Sequence, residues 1–256
     1  MSNNIQAIFY DHSSYKSLLT NWSDKDLTDS GPRSIAKLAK DNGLDKLIFV
    51  SNSFSTFIEA LKNCKKNGIQ LVFGLELWLC DDAKIHDEES KKTEHKIIIL
   101  MKNSKGYQDL VKIYSAMNLT NDNFYYKPRF DLAQLKPLWT DNLGIILPFF
   151  DSFIARNTTK FGATIVPAFP CAPVLCREQE PEHPHEQVIN LALDDYNKNG
   201  DHQEIKTKTI FYEKESDFLA YTTYRCMKNR SSVEDPKLDW FCSPKFSFES
   251  YLSLAK

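Results

Sequence analysis

Short apolar runs alternate with amphipathic segments along the first third of the chain, and this alternation limits the fold more than any other feature. The apolar runs cover residues 5–10, 47–50 and 69–79, and the third is expected to break near Gly74. The segments between them, residues 30–43 and 57–68, have helical spacing and end in glycine, with Pro32 in the first turn of the earlier one. A strand-helix-strand-helix-strand order with short connections is typical of a parallel sheet. The sequence therefore predicts an α/β fold.

The alternation of predicted strands and helices continues in the rest of the chain, but less regularly. Further strands are predicted at residues 96–101, 143–151, 163–166, 174–176 and 207–212, and helices at 106–117, 187–196 and 213–227. Asp131 is expected to cap a short helix through Leu138. Residues 80–94 are charged and are expected to form a surface excursion with Ile85 as their one core residue. With no repeat or linker in view, we expect one barrel-like domain over residues 1–256, closed by a loop and helix at 230–256.

Charge and cysteine content narrow the class of protein. The 32 basic residues are scattered among 34 acidic ones, which argues against a dedicated nucleic-acid surface because phosphate contacts need a concentrated basic patch. The six cysteines are widely spaced and no signal peptide opens the chain, so we expect reduced thiols in a cytoplasmic protein. Cys171 and Cys176 lack the spacing of a zinc knuckle. No apolar run approaches the roughly 18 residues that span a bilayer.

Two stretches carry candidate chemistry. The opening apolar run ends in Asp11 and His12. In barrel enzymes, metal and phosphate sites are built from residues at the C-terminal ends of strands, and a histidine with an acid at such an end is a candidate for one. The second stretch, residues 124–131, combines aromatic and basic side chains. It indicates either base stacking with phosphate contact or packing of a loop against the sheet. The side chains that would contact nucleic acid are Tyr125, Tyr126, Lys127 and Arg129.

Five short motifs follow one another in a fixed order. They are His12-Ser13-x-Tyr15, Gly68-Ile-x-x-x-x-Gly74-x-Glu76, His95 followed by Gly106-Tyr107-x-x-Leu110, Tyr125-Tyr-Lys-Pro-Arg-Phe-Asp131, and Asp235-Pro236-Lys237 with Ser243-Pro244. In this order the chain resembles the PHP (polymerase and histidinol phosphatase) domain of bacterial DNA polymerase III alpha subunits. The resemblance implies a distorted (β/α)7 barrel with metal-binding side chains at the C-terminal ends of its strands. Family members with a full cluster bind up to three divalent metals and hydrolyse phosphoesters, some as 3′ to 5′ exonucleases.

The resemblance carries over to the metal-binding positions only in part. It retains candidate ligands at His12, Glu76 and His95, and Asp151 falls where the family has cysteine. The lost ligand positions are Tyr10, Ser51, Asn52, Thr209 and Phe211. Loss of a partner that only orients a ligand already lowers metal affinity by about 10 to 100-fold, so a trinuclear site is not expected. The remaining residues either hold at most one zinc or manganese ion or are polar residues satisfied by hydrogen bonds.

Three functions follow from this pattern. The first is a catalytically inactive PHP-like domain that binds replication proteins, such as the proofreading exonuclease subunit or pieces of the polymerase core. The second is a residual metal-dependent phosphoesterase that uses the three retained positions and Asp151. The third is a pseudoenzyme that binds nucleic acid weakly through the aromatic and basic stretch. No membrane association is expected.

Overall fold

The computed structural model describes residues 5–22, 31–198, 200, 202–234 and 243–255. The predicted start of the first helix at Ser30, the motif Asp235-Pro236-Lys237 and Cys242 lie outside these residues. The chain divides into two compact units. The first unit comprises Met1–Phe73, Glu178–Pro184 and Lys206–Lys256, and the second comprises Gly74–Arg177 and His185–Ile205. The single domain over residues 1–256 stays a prediction.

Strands and helices alternate along most of the described chain, as the sequence predicts. The strands are β1 (Gln6–Tyr10), β2 (Lys46–Ser51), β3 (Gln70–Cys80), β4 (His95–Met101), β5 (Phe124–Tyr125), β6 (Lys127–Pro128), β7 (Phe130–Asp131), β8 (Leu143–Leu147), β9 (Val174–Glu178) and β10 (Glu204–Ile210). The helices are α1 (Ile35–Asp41), α2 (Phe57–Lys66), α3 (Glu88–Lys92), α4 (Ser104–Leu119), α5 (Leu132–Leu135), α6 (Phe153–Phe161), α7 (Glu186–Lys198), α8 (Phe218–Asn229) and α9 (Phe248–Ala255). The fold class is α/β, and seven of these strands have five residues or more.

In the first unit β1 is the central strand. It pairs in parallel with β2 on one side and with β10 on the other, and Ile8 faces Ile48 and Thr209 in the two ladders. Its apolar residues are almost completely buried, which is expected of a strand covered on both faces. The unit also contains α1, α2, α8 and α9.

In the second unit β4 runs antiparallel to both of its neighbours, β3 and β8. β8 then pairs in parallel with β9, and the short β7 pairs in parallel with β3. The parallel pattern predicted from the first three strands therefore does not extend to β4. The register fixes which side chains share a face: Trp78 lies opposite Lys96, and Leu79 lies opposite His95.

Four local predictions were wrong. The first helix begins at Ile35 because the Ser34 side chain accepts a hydrogen bond from the backbone of Lys37, so Pro32 precedes the helix instead of lying in its first turn. β3 continues through Gly74, which is paired with Leu100 of β4. Residues 163–166 form no strand. In the segment 80–94, Ile85 is exposed. The cap at Asp131 is confirmed, since its side chain accepts a hydrogen bond from the backbone of Gln134.

Within the described ranges, no helix has both the length and the apolar character needed to cross a bilayer. The described cysteines form no disulfide.

Candidate functional site

The second unit holds a lysine between two carboxylates. Lys96 Nζ lies 2.8 Å from Asp151 Oδ2 and 3.8 Å from Glu76 Oε2. The side chains of Lys96 and Glu76 are only 6% and 3% exposed, and burial of that degree makes charges costly unless they are paired. The Lys96 ammonium therefore supplies the positive charge that these carboxylates require.

The backbone around Asp151 fixes this contact. Asp151 has a φ of 62°, a left-handed conformation that is strained for a residue other than glycine. Its carbonyl oxygen accepts a hydrogen bond of 2.8 Å from the backbone N–H of Lys96. The following residue, Ser152, caps α6 by accepting a hydrogen bond from the backbone of Ala155. The strand β4 and the start of α6 thus hold the aspartate in place.

His95 lies on the opposite face of β4 from Lys96, because successive side chains of a strand alternate. Its Nε2 is 2.7 Å from the side-chain oxygen of Asn157 on α6, and its ring stacks on Phe153 with centroids 4.0 Å apart. Asn157 donates its amide N–H to the Ile165 carbonyl, which makes its oxygen the acceptor for the imidazole. Burial lowers the pKa of His95. The structure brings Glu76 and Asp151 together through Lys96 and directs His95 toward α6.

His12 belongs to the first unit. It opens a single helical turn, His12–Ser14, whose cap is the buried carboxylate of Asp11. Asp11 Oδ2 accepts a hydrogen bond of 2.7 Å from Asn21, so this acid is used to hold the turn. The His12 ring meets Trp22 edge-on at 5.0 Å and lines a cavity of about 570 Å³. Its Nδ1 has no hydrogen-bond partner in the part of the chain that the structure describes.

Apolar and hydroxyl side chains occupy the lost ligand positions. The rings of Tyr10 and Phe211 lie 5.4 Å apart, and Phe211 stacks on Tyr221. Ser51 is fully buried and accepts a hydrogen bond from the backbone of Ser53, whereas Asn52 is exposed. These contacts leave Tyr10 and Phe211 in an aromatic cluster of the first unit.

Thr209, the remaining lost position, contacts a buried carboxylate. Its backbone N–H and hydroxyl donate to Glu178 at 2.6 and 2.9 Å, and the Thr207 hydroxyl donates to the same carboxylate at 3.2 Å. Burial raises the pKa of Glu178 to about 7. The nearby ammonium of Lys208 is directed to the carbonyl oxygens of Gln179 and Glu180.

These donors do not fit the metal cluster that the resemblance implies. An ammonium already lies between Glu76 and Asp151, and Nε2 of His95 is bonded to Asn157. Among the described residues, no three His, Cys, Asp or Glu side chains are grouped so that they could hold a metal ion.

The aromatic and basic stretch forms a two-stranded hairpin, β5–β6, with Tyr126 at its tip and 69% exposed. Arg129 is fully buried and forms an ion pair with Glu94. Glu94 forms a second ion pair with Lys127, whose Nζ lies 2.9 Å from Glu94 Oε2. Tyr125 lies over the Arg129 guanidinium at 5.0 Å. Of the four residues predicted to contact nucleic acid, two are cations paired with a carboxylate of the protein itself.

Sequence reasoning missed Lys96, Glu94 and Glu178. Lys96 stands at the edge of an otherwise apolar run, and a charged residue beside a buried strand was the available signal. Glu94 lies in the segment predicted to be a surface excursion but is buried. Glu178 follows a short apolar run and gave no signal of its burial.

Similarity to known proteins shows the family of this chain. The PHP domain family matches residues 20–153, just over half of the chain. The chain belongs to the PHP domain family. Its fold is the distorted (β/α)7 barrel type of that family, as the sequence predicts.

The similar curated proteins are DNA polymerase III alpha subunits. That of Borreliella burgdorferi is 35% identical over 82 residues, which are 31% of this chain and 7% of the relative. That of Helicobacter pylori is 31% identical over 104 residues, 40% of this chain and 8% of the relative. The subunit of Chlamydia muridarum is 31% identical over 81 residues, 31% of this chain and 6% of the relative. This PHP domain thus matches less than a tenth of the length of these relatives.

Proposed function

We propose that this PHP domain is not a hydrolase and that it acts in DNA replication, in the cytoplasm, by binding a replication protein. The proposal is supported by the relationship to DNA polymerase III alpha subunits. It is also supported by the loss of ligand-type side chains at five positions of the resemblance, among them Tyr10 and Phe211.

One observation carries the proposal: Lys96 Nζ lies within 2.8 Å of Asp151 and 3.8 Å of Glu76. A divalent metal at these carboxylates would have to displace an ammonium that is itself buried, or would lie beside it and be repelled. Hydrolysis by this family depends on metal ions that position phosphate and activate water. A protein that has replaced the metal by a lysine retains the surfaces of the domain without that chemistry.

The partner we propose is the proofreading exonuclease subunit or a polymerase core protein. The test is size-exclusion chromatography of the full chain with each of these proteins, combined with an assay of phosphodiester hydrolysis in the presence of manganese or zinc. We expect a co-eluting complex and no turnover above the metal-only blank. Metal-dependent turnover that disappears in the Glu76→Gln variant would contradict the proposal.

A residual phosphoesterase is the second candidate, and a specific feature favours it. The imidazole Nδ1 atoms of His12 and His95 are buried and have no hydrogen-bond partner among the described residues, which is the condition of a nitrogen available to a metal. The same hydrolysis assay tests this candidate, with His12→Asn and His95→Asn as the informative variants. Nucleic-acid binding through the hairpin has less support, because Lys127 and Arg129 are paired with Glu94.

A further inference from the structure

Arg156 is a half-buried arginine with one donor that the described residues leave unsatisfied. It lies on α6, its guanidinium carbon is 5.5 Å from the centre of the Trp78 ring, and its Nε is buried with no hydrogen-bond partner among the described residues. No carboxylate of the described ranges forms an ion pair with it. Leaving a buried N–H donor such as this Nε unsatisfied is costly. The side chain is therefore arranged for an acceptor that the described residues do not supply.

The surroundings of Arg156 carry excess positive charge. Lys160 follows it by one helical turn, on the same side of α6, and Lys127 Nζ lies 3.2 Å from the centre of the Trp78 ring. Burial and then Arg156 lower the pKa of Lys160, and Arg156 also contributes to a lowered pKa of Lys127, for which burial is the larger cause. The charged side chains near Arg156 include Lys96, Lys127, Arg129 and Lys160 with Glu76, Glu94 and Asp151. The Lys160 ammonium also donates a hydrogen bond of 2.8 Å to the backbone carbonyl of Lys92.

We propose that Arg156 and Lys160 form a docking site for an acidic segment of a protein partner, with Arg156 bound to a carboxylate of that segment in the two-pronged manner typical of arginine. This inference rests on the proposed function, since it locates on α6 a part of the surface through which the domain holds its partner. The arrangement is complementary in charge to an acidic side chain, and a paired carboxylate satisfies the Arg156 Nε donor that the described residues leave open.

A carboxylate fits this site better than the backbone of a nucleic acid. Glu94 and Asp151 lie within the cluster, so a run of phosphates would meet two negative charges beside the two cations. The Trp78 ring is covered by the Lys127 ammonium at 3.2 Å, which leaves that face unavailable for stacking on a base. The site therefore offers one point of anion contact instead of a continuous basic track.

The probe for the test is a fluorescein-labelled octaglutamate peptide, whose binding to the full chain is followed by fluorescence anisotropy at low salt. We expect Arg156→Gln to weaken binding roughly tenfold, as is typical for loss of a charge-assisted hydrogen-bonded pair. Lys160→Gln should weaken it less. Lys160 is exposed, so this variant remains informative if Arg156→Gln lowers folding yield. Lys105→Gln and Arg230→Gln, at exposed positions elsewhere, are the matched controls and should bind as the unsubstituted chain does.

Two outcomes of the peptide assay would overturn the inference. One is equal binding of the peptide by the Arg156→Gln and Lys160→Gln variants and the unsubstituted chain. The other is tighter binding of an unlabelled single-stranded oligonucleotide than of octaglutamate in competition, which would assign the site to phosphate. Capture of a replication protein by the unsubstituted chain and by both variants alike would also refute the docking site while leaving the proposed function intact. Metal-dependent hydrolysis would refute the proposed function and would leave the peptide result to be judged separately.

Discussion

The two units of this protein bury carboxylates in different ways. In the second unit, Glu76 and Asp151 have a lysine ammonium as counter-ion. In the first unit, Glu178 accepts hydrogen bonds from Thr207 and Thr209, and the pKa of its carboxyl is raised to about 7 by burial. Burial favours the protonated form of the Glu178 carboxyl, and the Lys208 charge and the threonine donors, which favour the ionised form, offset burial only in part. The contrast teaches that Glu76 and Asp151 have a direct ammonium partner, whereas Glu178 is held mainly by hydrogen bonds from Thr207 and Thr209.

The largest expected effect comes from removing the counter-ion. Lys96→Met leaves the buried Glu76 and the partly buried Asp151 without their ammonium, and we expect the free energy of unfolding to fall by about 3 to 5 kcal/mol. Urea denaturation followed by circular dichroism measures this loss. Lys105→Met, at an exposed position of α4, is the control and should change stability by less than about 0.5 kcal/mol. A Lys96→Met protein as stable as the control would show that the ion pair contributes nothing.

The raised pKa of the Glu178 carboxyl should appear in the pH dependence of stability. Because the pKa of Glu178 is about 7 in the folded protein and 4.5 in its reference state, the folded form binds the proton more tightly. Its contribution is therefore fully present below about pH 4.5, falls as the pH rises and is lost above about pH 7. The loss is on the order of 3 kcal/mol, and Glu178→Gln should flatten this part of the profile. The test is to measure the unfolding midpoints of the unsubstituted chain and of the Glu178→Gln variant from pH 4 to 8. Parallel pH profiles for the two proteins would mean that the raised pKa belongs to another group.

Thr209→Val should have the smallest effect of the three. It removes one hydroxyl donor from Glu178 and keeps the backbone donor, so a loss of about 1 kcal/mol is expected above pH 7 and a smaller one below it. Thr223→Val serves as the comparison, since the Thr223 hydroxyl is exposed and bonds only within its own helix. A pH-independent loss would mean that the hydroxyl matters for packing instead of charge.

Local sequence patterns predicted the order of the helices and strands better than they predicted the face of a strand on which each side chain lies. Periodicity and end signals located α2, α4 and the cap at Asp131, because these depend on local spacing and local hydrogen bonds. Which face His95 and Lys96 take depends on the antiparallel register of β3 and β4, which no local pattern contains. Gly74 was expected to interrupt β3, yet its pairing with Leu100 carries the strand through. Motif order identified the family but could not show that a lysine lies between Glu76 and Asp151.

Metal content tests the central claim most directly, namely that Lys96 takes the place of a metal at Glu76 and Asp151. The measurement is elemental analysis of zinc, manganese and iron in the full chain, purified without a histidine tag. The protein is first incubated with each metal in turn, and unbound metal is then removed by dialysis. The account predicts less than about a tenth of an equivalent of any metal, since binding requires displacement of a buried ammonium. One equivalent or more that survives dialysis, and that the Glu76→Gln variant loses, would contradict it.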